Sequence, residues 1–319
     1  MPPGPADEPS PASLGLTGAW VPVPLRVGVD LEHGGRWTSL RAGEREWLWH
    51  HPSPAVAAQR RAVRPGAAFV DAGGGEECLP TVGGEPDHGA LWTRPWAGTA
   101  ADATASADGL RLRRELSTDG GVVRVRYTAS GEPGRPLVHA LHLLLDTSCA
   151  ARLEMPGGPE PRVCEVRDEA GAEPTRTAQT RTAVWPPRVG ASTADVLGPD
   201  DGTATVVVVR DTAAAVVVDG DRALELRWSA PAPPGAPAPP TSLLLWRNLG
   251  GWPAGAPYRS TGVEPLLGAT THLHGAAEGS AARLGPDGSL VWGVVLRAHR
   301  RIVQATPLEP PFPGSRATS

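Results

Sequence analysis

Two stretches of the chain concentrate side chains that can move protons or stack on a ligand. Residues 73–96 read GGGEECLPTVGGEPDHGALWTRPW; residues 244–253 read LLWRNLGGWP, with GVEP following at 262–265. Both mix Trp, Gly and Pro with carboxylates, imidazole and guanidinium groups, the make-up of a rigid loop that positions function. His88 and Glu264 are the titratable groups best placed to exchange protons, and Trp92, Trp96, Trp246 and Trp252 serve either as core or as ligand platforms. Glu76 and Glu77 occupy neighbouring strand positions that face apart, so at most one lines a site, and Glu77 is assigned to it. Arg94 and Asn248, the only Asn of the chain, are further candidates for binding a polar ligand.

A second imidazole must come from another element. His139 and His142 lie three apart in the apolar run LVHALHLLL at 137–145, so on a strand they point to opposite faces and cannot share one site. His142 is taken as the site residue because it is set closer to the apolar end of the run. The pair His272 and His274 has a spacing that suits a metal on a strand, but no third ligand lies nearby and none is expected.

The elements that must hold these groups are strands. Segments 110–116 and 122–127 alternate apolar and polar residues around a turn at 117–121, the pattern of a hairpin with one solvated face. Apolar, β-branched runs follow at 205–209, 215–218, 223–228, 242–246 and 290–296. Gly 39 and Pro 36 punctuate these runs, which a helical protein would not tolerate. Residues 55–63 are the best helical candidate, and the Pro-rich stretch 230–240 reads as a loop inserted within one domain. The expectation is an all-β sandwich of antiparallel strands over 16–304, flanked by tails at 1–15 and 305–319.

Composition narrows the function classes. The chain has no Lys, and its 30 basic residues are scattered Arg in a molecule of net charge −4, which argues against a nucleic-acid partner. Eleven Trp against two Phe and two Tyr exceeds what a biased codon supply requires, and flat indole faces suit the apolar face of a pyranose. Three cysteines at 78, 149 and 164 have neither zinc spacing nor an even count. Neither a signal peptide nor an apolar run of membrane length is recognisable, so a cytoplasmic location without membrane partners is expected.

Several segments resemble the aldose-1-epimerase (galactose mutarotase-like) family, in family order over roughly residues 20–297. These are GGRWTSL at 34–40, GEECLPT at 75–81, DHG at 87–89 followed by Leu91-Trp92 and Arg94-Pro95-Trp96, NLGGWP at 248–253 and VEP at 263–265. The resemblance implies the mutarotase-like supersandwich, an open cleft and no cofactor. It implies His88 as the first cleft histidine, His142 as general acid and Glu264 as general base, with Trp92, Arg94, Trp96, Glu77, Asn248 and Trp252 around a sugar or sugar derivative. Such a protein would be a monomer or weak homodimer. The family's strand Asp that grips sugar hydroxyls has only poor matches in Asp146 and Asp211, so free galactose or glucose is not implied. A non-catalytic sugar-binding protein of the same fold, and a metal-dependent jelly roll, are the competing readings.

Overall fold

Alternation along the strands decides which side of each sheet meets water. In Leu110–Ser117, Leu110, Leu112 and Arg114 are buried while Arg111 and Arg113 are exposed, and in Val123–Ser130 the buried set is Val123, Val125, Tyr127 and Ala129. These two strands pair antiparallel in the register Arg111 to Ser130, as the expected hairpin requires. The computed structural model describes residues 19–156, 162–169 and 183–302. The two expected tails lie outside them.

Two large antiparallel sheets make the body. The first runs in the order Arg152–Glu154, Ala214–Asp219, Arg222–Ser229, Ser289–Arg301, Val123–Ser130, Leu110–Ser117, Asp102–Ala107 and Ala97–Gly98, with Trp20–Val23 also pairing on Ser289–Arg301. The second runs Ala183–Val184, Arg162–Asp168, Ala204–Arg210, Thr241–Trp252, Tyr258–Leu267, His139–Leu145, Gly75–Cys78, Arg36–Ala42 and Leu25–Asp30. Their inner faces enclose one core that includes Trp37, Trp47, Leu112, Leu143, Leu224, Val263 and Trp292. At about 25 cal/mol per Å² of apolar surface removed from water, side chains of this size dominate the stabilisation.

A smaller apolar cluster sits on the outer face of the second sheet, where Cys78, Ala140, Val206, Val208, Leu244 and Leu266 pack under Val82, Val138 and Leu273. The middle strands of that sheet are therefore buried on both faces; every residue of His139–Leu145 is buried. The helix expected at 55–63 spans Pro54–Arg61, with Pro at its start, where the missing N–H costs nothing. Residues 230–240 form no strand and connect two strands of the sandwich. His272 makes an isolated β-bridge with Gly83 and His274 lies in a turn, so the two do not share one strand and the one-face spacing expected of them does not arise.

Candidate active site

The register of three strands brings the site together. His139–Leu145 pairs with Tyr258–Leu267 in the steps Ala140 to Leu266 and Leu144 to Gly262, which sets His142 opposite Glu264. On its other side, His142 pairs with Glu76 of Gly75–Cys78. Period-two geometry then sends Glu76, His142 and Glu264 to the outer face of the second sheet, and Glu77 and His139 into the sandwich.

His142 Nδ1 lies 2.7 Å from Oε1 of Glu264. The Glu264 carboxylate is closed to solvent, and its Oε2 has no hydrogen-bond partner among the described residues. An unpartnered buried carboxylate oxygen is costly, and such groups occur where something else is meant to bind. Burial opposes a charge on His142, but the adjacent Glu264 carboxylate outweighs it and raises the imidazole to about 9. At neutral pH the pair is thus an imidazolium beside a carboxylate. Gly262 makes room for it: a Cβ there would fall 2.3 Å from Glu264 Oε1 and 3.1 Å from the Trp246 Cβ.

His88 joins the pair from the loop after Gly75–Cys78. Its backbone is in the left-handed region at φ 58°, and the neighbouring Gly89 has a φ of 72° with no space for a Cβ against the Leu79 carbonyl. The turn places the His88 ring 5.0 Å from that of His142, edge-on, with the Phe69 ring stacked on His88 at 3.5 Å. His88 Nδ1 is 3.0 Å from Asp87 Oδ1. Burial works against the Asp87 carboxylate, but His88 beside it holds the carboxyl below its ordinary range.

Glu76, the third outer-face group, is already neutralised. Arg60, reaching in from the last turn of the helix, donates from Nε and Nη2 to its two oxygens at 2.8 Å each, and Arg36 adds a contact at 3.3 Å. The helix thus fixes the floor of the site.

Away from this floor, towards the start of Tyr258–Leu267, the outer face turns aromatic. Trp49 stacks on Tyr258 at 5.5 Å, Tyr258 meets Trp252 edge-on at 5.9 Å, and Trp252 meets Trp246 edge-on at 5.9 Å. Tyr258 donates its hydroxyl to Asp71 Oδ2 at 2.6 Å. Two concavities, of about 660 and 470 Å³, lie on the first sheet, and neither is lined by a histidine.

No protein-family model matches the chain, and a search of curated proteins finds no match either. Solved structures do match. Slr1438 protein from Synechocystis sp. PCC 6803 aligns over 88% of this chain and 93% of its own, at 14% identity and a TM-score of 0.61. A galactose mutarotase-like protein from Lactobacillus casei ATCC 334 aligns over 87% and 100%, at 15% and 0.55. A galactose mutarotase related enzyme from Lactobacillus acidophilus aligns over 88% and 97%, at 11% and 0.54. The fold is galactose mutarotase-like. At such identities the likeness extends to the fold alone, as the all-β sandwich reading expected.

Within the mutarotase-like frame, the candidates read from sequence divide. His88, His142 and Glu264 are brought together. Trp252 lies on the aromatic face, half-buried. Five assignments need correction. Glu77 is fully buried on the inner face, where Arg114, Tyr127 and His139 bind it, so the outward carboxylate is Glu76. Trp92 is buried, donates to the Asp87 carbonyl and carries the Arg60 guanidinium at 5.0 Å, so it offers no platform. Trp96 is buried with Arg114 over its ring at 4.8 Å. Asn248 is fully buried and closes its own turn, accepting from Gly251 and Trp252 and donating to the Trp252 carbonyl. Arg94 lines the 470 Å³ concavity beside Ser106–Arg111 rather than this site.

Sequence reasoning missed Phe69, Asp71, Trp49 and Tyr258. Phe69 and Tyr258 carried a signal, each being one of only two of its kind in the chain. Asp71 and Trp49 carried none, since only the pairing of distant strands brings them to this face.

Proposed function

We propose that the protein is an aldose 1-epimerase-type isomerase that interconverts the anomers of a sugar by proton transfer at Glu264 and His142. The observation that carries this reading is the imidazolium–carboxylate pair at 2.7 Å with one carboxylate oxygen left unpartnered. Glu264 is the base: Oε2 takes the proton of the anomeric hydroxyl. His142 is the acid: its second nitrogen, Nε2, gives a proton to the ring oxygen. The C1–O5 bond breaks, an open-chain aldehyde forms, and C1 turns about the C1–C2 bond. The ring oxygen then attacks the other carbonyl face while both protons return. Glu264 gains one proton and His142 loses one in the opening step, so charge separation falls as the bond breaks and no cofactor is consumed.

His88 is assigned a binding role at the edge of the pair, with Phe69 held on its ring. Because Glu264 is closed to solvent, entry of a sugar requires side chains to part, and Phe69 is a half-buried ring that contacts both histidines. The test is two-dimensional NMR exchange between anomers across a panel of aldoses. Wild-type protein is expected to accelerate exchange for at least one, and Glu264→Gln to slow it by about 10²–10⁴-fold, the usual worth of a positioned acid or base. Exchange equal to buffer across the whole panel, or a Glu264→Gln protein as fast as wild type, ends the reading.

A further inference from the structure

Arg94 lies outside the acid–base site, yet it is not an ordinary surface arginine. It follows the single 3₁₀ turn Leu91–Thr93, where its backbone N–H donates to the Leu91 carbonyl. Its Nε is closed to solvent, and its side chain makes no hydrogen bond or ion pair among the described residues. A buried donor left unpaired is costly, so an acceptor is expected beside it.

The concavity of about 470 Å³ that Arg94 lines supplies further donors. Strand register sets Ser106, Arg111 and Ser130 side by side on the outer face of the first sheet, and all three line the same space. Arg111 uses its Nε on Thr104 Oγ1 at 2.9 Å, which leaves its two amino groups. Arg135 approaches from the turn after Val123–Ser130: a Cβ on Gly109, another lining residue, would fall 2.8 Å from its Nη1. None of these three arginines is ion-paired among the described residues, and Asp108 is the one carboxylate among the described residues that line the space. The neighbouring concavity of about 660 Å³ differs, because two of its three arginines are already neutralised: Arg126 by Glu115 at 2.6 Å and Arg227 by Glu225 at 2.5 Å.

We infer that Arg94, Arg111 and Arg135 form a binding site for the phosphate group of a small phosphate monoester, separate from Glu264 and His142. Three guanidinium groups against one carboxylate leave a charge of about +2, which matches a phosphate monoester near neutral pH. Guanidinium groups that converge from three elements, with two hydroxyls between them, suit tetrahedral oxygens better than a flat carboxylate. The volume leaves room for the organic body of the ester.

The probe is glycerol 3-phosphate, which has no anomeric centre and so does not depend on the isomerase reading. Isothermal titration calorimetry at constant ionic strength should show one saturable site on the wild-type protein. Arg94→Gln and Arg111→Gln should each weaken it about tenfold or more, the worth of one charge-assisted hydrogen bond, while Arg126→Gln should leave it within about twofold. Arg111 is exposed, so its variant keeps the test readable if Arg94→Gln does not fold. Inorganic phosphate is the second arm: weaker binding than the ester supports the inference, and equal binding overturns the ester and leaves a site for the free ion. No saturable heat with either probe, or an affinity that falls alike in all three variants, overturns the site itself.

Discussion

Two histidines three residues apart on one strand sit in opposite kinds of environment. His139, on the inner face, is saturated: its Nδ1 accepts from Trp292 Nε1 at 2.9 Å, and its Nε2 lies 3.1 Å from Glu77 Oε2. An indole N–H only donates, so the His139 proton is fixed on Nε2, aimed at Glu77. Burial would push the Glu77 carboxyl up, but His139 and Arg114 together hold it below its ordinary value, and Tyr127 adds a third donor. His142, on the outer face, has the same residue type for a partner but not the same completeness, because Glu264 keeps an oxygen without a bond. Saturation reads as structure, and a leftover valence beside a tuned imidazole reads as chemistry.

The comparison is broken or sharpened most strongly by a crossed pair of substitutions. Glu264→Gln should remove about 10²–10⁴-fold of exchange activity, with any loss of melting temperature confined to the pH range below about 9 where the carboxylate holds His142 protonated. Glu77→Gln should do the reverse: it strands the buried Arg114 guanidinium and should cost about 3–5 kcal/mol in denaturant unfolding. If Glu77→Gln leaves stability intact, the inner network is not the structural one.

Gly262→Ala comes next. Its methyl would fall on the Glu264 carboxylate, and displacement by about 1 Å is worth up to about 100-fold, so kcat should drop 10- to 100-fold in steady-state exchange. An unchanged kcat would mean that the carboxylate position is not critical.

The pH profile tests the outer pair from another side. The acid must be protonated, so kcat/KM should decline as pH rises through about 9 and flatten below it on this limb. The same raised value gives a stability contribution that is complete below the ordinary 6.5 and lost as pH climbs through about 9. In Glu264→Gln protein that alkaline decline in stability should move towards 6.5, read from melting temperature against pH.

The smallest effect is expected at Trp292. Trp292→Phe keeps the ring and deletes the donor to His139, which should cost about 1–3 kcal/mol and leave exchange kinetics within about twofold.

Legibility in the sequence followed the range of the interactions. The hairpin of Leu110–Ser117 and Val123–Ser130 was readable because alternation and turn residues are local. His88 and Glu264 were singled out because each sits in a short motif of its own, and the structure brings both beside His142. The failures at Glu77, Trp92, Trp96, Asn248 and Arg94 have two causes. Glu77 and Asn248 are on strands, where a motif marks a neighbourhood but which of two adjacent side chains faces the ligand depends on register, a long-range property. Trp92, Arg94 and Trp96 lie on a single 3₁₀ turn and the irregular chain after it, where packing against distant groups such as Arg60 and Arg114 decides their surroundings.

The sequence by itself determined that the chain is all-β, that His139 and His142 must serve different faces, and that carboxylate and imidazole groups concentrate in a few segments, which the structure shows to be mostly strands rather than the loops expected. Each follows from the two-residue period of a strand or from the composition. Only the tertiary structure decided which histidine meets Glu264, that Glu76 rather than Glu77 turns outward, and that Trp49, Asp71 and Tyr258 join Trp246 and Trp252 on one face. Those outcomes depend on pairings such as His142 with Glu76, separated by most of a sheet's worth of chain, where burial of a shared core selects one register over its neighbour.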